Sequence, residues 1–155
     1  MFKKFLFLIL LFFSFYTSAE QIVVQGPYFL KGAMNSSIAF VKNSDESISL
    51  QEMGYGTNKS IDLYEVGDGV PKIETVFFDQ IKSKRNLIVL VSWDEENISA
   101  IHYKIHVYNY TTEGVLEKDE LLSNDKNLEG YDGYSGNGMI FNLKNAGTIK
   151  TYLHR

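Results

Sequence analysis

Leu87-Ile88-Val89-Leu90-Val91, five apolar residues in a row within a chain of 155, is the stretch on which the fold class turns. A run this short, rich in β-branched residues and bounded by polar ones, reads as a strand covered on both faces. It belongs at the centre of a sheet and is the first core expectation. On its N-terminal side Ile73–Phe78 is a second apolar strand, and the mostly polar Asp79–Asn86 between the two closes a hairpin in this reading. On its C-terminal side Ala100–Tyr110 is two-faced. Ile101, Tyr103, Ile105 and Val107 fall on one side, and His102, Lys104, His106, Tyr108 and Tyr110 on the other. The first set is expected to face the core and the second to face water, with Asp94-Glu95-Glu96-Asn97 as the preceding hairpin loop.

Further out, short β-type runs recur between turn residues. Ile22–Gln25, Tyr28–Leu30, Ile38–Val41, Ile48–Leu50 and Ile61–Val66 are punctuated by Gly26-Pro27, Lys31-Gly32, Asn43–Glu46, Gly54-Tyr55-Gly56 and Gly67-Asp68-Gly69, the pattern of a meander. Val115–Leu122 is open between a strand and a short helix. Asn137-Gly138 is a two-residue hairpin turn ahead of Met139-Ile140-Phe141. Asn142 can cap a terminal helix whose apolar stripe is Leu143, Ala146, Ile149 and Leu153, with Tyr152 beside it. The expected fold is α+β and mainly β: an antiparallel meander sheet with one C-terminal helix packed on it, forming a single globular domain over residues 20–155.

The N-terminus has the order of a secretory signal: positive Lys3-Lys4, the apolar run Phe5–Phe13, then small residues at Thr17-Ser18-Ala19. Residues 1–19 are therefore expected to be removed on export, and the apolar stretch is too short for a membrane-spanning helix. The chain has no cysteine, which excludes disulfides, thiolate metal sites, thiol nucleophiles and a lipid anchor on a cysteine. A cysteine-free exported domain suits a bacterial periplasm, with an extracellular location as the alternative. In a eukaryotic secretory pathway the triplets at Asn35, Asn58, Asn97 and Asn109 would be glycosylation acceptors. The formal charge of −4 becomes two units more negative once Lys3 and Lys4 leave. Nucleic acid and anionic membrane surfaces are poor partners for such a domain.

No arrangement of residues specifies catalysis, a metal or a cofactor. His102 and His106 share a strand face but stand about 13 Å apart at strand rise, too far for one ion. Asp125-Lys126-Asn127-Leu128-Glu129-Gly130 opens like a calcium loop, yet Gly136 occupies the position where the bidentate glutamate belongs. Gly133-Tyr134-Ser135-Gly136-Asn137 departs from the nucleophile elbow at its last residue. Thr75–Asp79 through Leu87–Leu90 resembles an FG-GAP repeat of β-propeller proteins, in which a calcium loop precedes an apolar strand. Lys82, Lys84 and Arg85 stand where that loop needs oxygen ligands, and the pattern occurs once, so it assigns no family.

A surface argument remains. Glu129, Tyr131, Asp132 and Tyr134 lie in an acidic, Gly/Ser/Asn-rich stretch, and Tyr108 and Tyr110 project from the polar side of their strand in this reading. Tyrosines beside small or charged residues are a composition used for protein recognition. These six residues form the expected partner-binding set, and the domain is expected to be a non-enzymatic protein-binding module, such as an immunity-type inhibitor of a basic toxin or wall hydrolase. The alternatives are a carboxylate-dependent hydrolase and a self-associating envelope protein.

Overall fold

The computed structural model describes residues 22–31, 36–54, 57–133 and 138–155; the expected signal segment 1–19 and Tyr134 lie outside them. Strands β1 (Ile22–Phe29), β2 (Ser37–Lys42), β3 (Ile48–Gly54) and β4 (Thr57–Tyr64) pair in sequence order as one antiparallel sheet. Strands β5 (Lys72–Ile81), β6 (Lys84–Glu95), β7 (Ala100–Tyr110) and β8 (Leu116–Lys118) form a second. Strand β9 (Glu129–Gly133) joins β7 at the opposite end from β8. The mainly-β class with a C-terminal helix, α2 (Ala146–Leu153), is as expected. The meander, however, is divided into two packed sheets.

Strand β6 explains the division. Leu87, Val89, Val91 and Trp93 point into a core shared with Ile38, Phe40, Ile48, Leu50 and Tyr64 of the first sheet. Ile88 and Leu90 point the other way, into a core with Ile105, Val107, Leu128, Phe141, Ile149 and Leu153. The side chains of one strand alternate between faces, so an all-apolar run needs a layer on each side. The first sheet covers one face, and the C-terminal segment with α2 covers the other.

That layering corrects the reading of β7. Tyr108 and Tyr110, placed on a solvated face by the sequence, are buried in the first core. The face was assigned correctly and its environment was not, because the first sheet lies over it. Neither tyrosine can contact a partner.

The remaining differences are local. Gly26-Pro27 does not end a strand; a register irregularity between Gln25 and Tyr28 absorbs the pair within β1. Gly26 has φ of 103°, and a Cβ there would sit 3.0 Å from the Ile38 carbonyl oxygen. The β5–β6 connection is only Lys82-Ser83, since Ile81 pairs with Lys84. The next hairpin turns at Glu96–Ser99, which brings Glu95 into β6 opposite Ala100. Val115–Leu122 contains both alternatives: β8, then the short helix α1 (Glu120–Ser123), whose first turn is capped where the Asp119 carboxylate accepts the Leu122 N–H. The terminal helix starts three residues later than the Asn142 cap implied. Asn145 accepts the Thr148 N–H at 3.0 Å and is the actual cap, while Leu143 reaches the core from extended chain.

Candidate functional site

Between the end of β4 and the face of β7 that the first sheet partly covers lies a groove of about 340 Å³, lined by Glu65, Trp93, Glu95, His102, Lys104, His106, Lys118 and Glu129 among others. Strand pairing builds its outer rim. Trp93 of β6 stands opposite His102 of β7, and His102 opposite Tyr131 of β9, so three aromatic side chains form a row across three strands. The His102 and Tyr131 rings stack at 4.7 Å with planes 17° apart, and His102 leans on Trp93 at 5.3 Å. Trp93 is fixed from behind, its indole N–H donating to the Glu65 carbonyl at 2.9 Å. Tyr131 is the exposed end of this row.

Carboxylates frame it. Glu129 Oε1 is 2.9 Å from His102 Nε2, and Glu129 Oε2 accepts from Lys104 Nζ at 2.8 Å. Glu95 Oε1 lies 3.8 Å from His102 Nδ1. Burial raises the Glu129 carboxyl, but the hydrogen bond and charge of Lys104 and the hydrogen bond from His102 outweigh it and hold it below the usual glutamate range. Glu129 is thus ionised at neutral pH and has no proton to give as a general acid. Around the strand ends, a shallow acidic hollow is lined by Asp94, Glu95, Glu96 and Asp132. Asp94 is paired with Lys72 at 2.5 Å and Asp132 with Lys144. Glu96 and Glu65 have no ionic partner among the described residues.

The inner end of the groove is a buried polar cluster. Tyr108 donates to Asp62 Oδ2 at 2.7 Å, Tyr64 and Tyr108 share a hydrogen bond at 2.8 Å, and Lys118 Nζ reaches Asp62 Oδ2 at 2.9 Å. Burial works against the Asp62 charge; hydrogen bonds from Lys118 and Tyr108 prevail and keep its carboxyl below the usual aspartate range. Desolvation drives both phenols far above the ordinary tyrosine value, so neither ionises. His106 is buried beside them with neither ring nitrogen hydrogen-bonded, and its Nδ1 is 3.8 Å from Asp62 Oδ2. Burial, then the charge of Lys118, lowers its imidazole to about 4.

Of the residues singled out from sequence, Glu129 and Tyr131 share the groove face. Asp132 pairs opposite Ile101 and looks toward the other side of the sheet, joining the acidic hollow from there. The nucleophile-elbow stretch falls mostly outside the described residues. The calcium-loop reading dissolves into local structure: Asp125 caps a 3-10 turn at Lys126–Leu128 and accepts from Tyr152, while Glu129 is already in β9. Among the described residues no group of three His, Asp or Glu side chains is disposed to hold a metal.

This chain matches no family model, no curated protein and no solved structure. Trp93, His102 and Glu95 were not in the expected partner-binding set, His102 having been considered only as a metal ligand. The one signal for them was the chain's single tryptophan at the end of an apolar strand, and its use depended on the register of the hairpin, which the sequence reading had misplaced. Asp62 and Tyr64 left no local signal at all.

Proposed function

We propose that this protein is an exported, non-enzymatic binding module that takes a basic protein partner on the acidic aromatic face around Tyr131. The observation that carries the reading is the Trp93–His102–Tyr131 row with Glu95 and Glu129 on either side. Two acidic stretches far apart in sequence, Asp94–Glu96 and Glu129–Asp132, meet there because β6 and β9 flank β7. A tyrosine ring stacked on His102, which itself leans on Trp93, offers contact area at little entropic cost. With carboxylates beside it, it suits the stem and head of an arginine or lysine from a partner. Glu65 and Glu96, lacking ionic partners among the described residues, supply unspent negative charge at the two margins.

Steering by those charges makes association fast and salt-sensitive. The test is an affinity capture from envelope extract with wild-type protein and with Tyr131→Ala/Glu95→Gln. Wild type retains a basic protein, released by raising salt, and the variant does not. Retention that is insensitive to both changes rules out this site.

A further inference from the structure

At the far end of β7 from Tyr131, a larger cavity of about 510 Å³ opens between the β5–β6 hairpin, α1 and α2. That volume is in the range of about 300–1,000 Å³ typical of small-molecule sites. Its floor is apolar, formed by Ile81, Leu122 and Leu153. At its mouth stands Leu121, 83% exposed, which adds apolar surface where an occupant would enter.

The polar groups of the lining differ in how far they are already engaged. Asn86, fully buried, donates to Asn109 at 2.7 Å, and Asn109 donates to Asp119 at 3.0 Å. Asp119 also takes the Leu122 N–H, and Asp125 takes the Asn127 N–H and the Tyr152 hydroxyl. Both carboxylates are thus turned onto the protein's own donors. The ammonium groups of Lys82 and Lys84 have no hydrogen bond or ion pair among the described residues.

The backbone supplies a second, independent observation. Lys82 and Ser83 form a two-residue turn with φ of 47° and 68°, both in the left-handed region where Asn-Gly is the favoured pair. A lysine with its long stem is an uneconomical choice for that position. The strained residue is also one that borders the cavity, and strain retained at a cavity rim points to use of the side chain.

We propose that this cavity binds an amphipathic small molecule with an anionic head, its hydrocarbon part on Ile81, Leu121 and Leu153 and its carboxylate or phosphate paired with Lys82 and Lys84. The site is separate from the Tyr131 face, and neither depends on the other.

The test is calorimetric titration of the purified protein with dodecanoate, dodecyl phosphate and dodecanol, each below its aggregation threshold. Either anion, or both, binds at least about ten-fold tighter than the alcohol, and the arm that binds identifies the head group. Lys82→Asn/Lys84→Gln removes the charges while relieving the turn, so its folding is not compromised; anion affinity falls by about ten-fold or more. Leu121→Ser, at an exposed position, weakens binding of every chain. Equal binding of alcohol and anions, or unchanged affinity in the lysine double variant, overturns the anionic-head assignment. Absence of binding in all three arms overturns the site.

Discussion

The phenol oxygens of Tyr64 and Tyr108 lie 2.8 Å apart in the interior, and the direction of their hydrogen bond is set by the next one. Tyr108 has a single hydroxyl proton and gives it to Asp62 at 2.7 Å, so Tyr64 donates to Tyr108. Tyr64 and Asp62 come from the first sheet and Tyr108 from the second, which makes this chain a polar clamp between the layers. Tyr108→Phe leaves the buried Tyr64 hydroxyl without its acceptor and takes one donor from Asp62, which keeps Lys118, and is expected to cost about 2–3 kcal/mol; Tyr64→Phe removes only the terminal donor and costs about 1 kcal/mol. Denaturant unfolding of the two variants measures the order. A larger loss for Tyr64→Phe contradicts the assigned direction.

Acid should loosen the fold through His106. Its imidazole is lowered from 6.5 to about 4 in the folded protein, so between those values the unfolded chain binds a proton that the folded one refuses. Stability is therefore full above pH 6.5 and declines as pH falls toward 4, by on the order of 3 kcal/mol. Asp62, with its lowered carboxyl, adds a further loss at still lower pH. His106→Leu should flatten the profile of unfolding free energy between pH 6.5 and 4. An unchanged slope in that variant assigns the acid sensitivity elsewhere.

The Lys82-Ser83 turn should be improvable. Lys82→Asn with Ser83→Gly places the favoured pair at two left-handed positions, with an expected gain of about 1 kcal/mol. Thermal unfolding reads it directly, and no gain would mean that the lysine stem recovers the strain through contacts of its own.

Gly133 fastens β9, and with it Tyr131, to the sheet. A Cβ at this position would lie 2.6 Å from both the Ala100 Cα and the Ser99 carbonyl oxygen, backbone atoms that cannot swing aside. Gly133→Ala should therefore lift the end of β9 from β7 while leaving both cores in place. Amide exchange should rise at Tyr131–Gly133 and stay unchanged in Leu87–Val91. Uniform protection in the variant would show that the strand tolerates the shift.

How much of this was readable beforehand depended on locality. Leu87–Val91 declared a doubly covered strand because every residue in it is apolar, and alternation even assigns which side chains go to which core. The polar side of β7 misled for the converse reason. His106, Tyr108 and Tyr110 resemble a wetted face until Asp62 and Tyr64, some 40 residues earlier, are seen to cover it and satisfy Tyr108. Glu129 and Tyr131 were identifiable from composition. Their companions Trp93, His102 and Glu95 were not, since a two-residue difference in where the β6–β7 hairpin turns decides whether Glu95 belongs to the loop or to the strand.

The central claim, a basic partner seated on the Tyr131 face, is tested most directly by hydrogen–deuterium exchange of the protein alone and with the partner retained in affinity capture. Protection is predicted at Glu129–Asp132 and Asp94–Glu96, with none at the Lys82–Lys84 hairpin. Protection confined to other segments, or no retained partner to add, would contradict it.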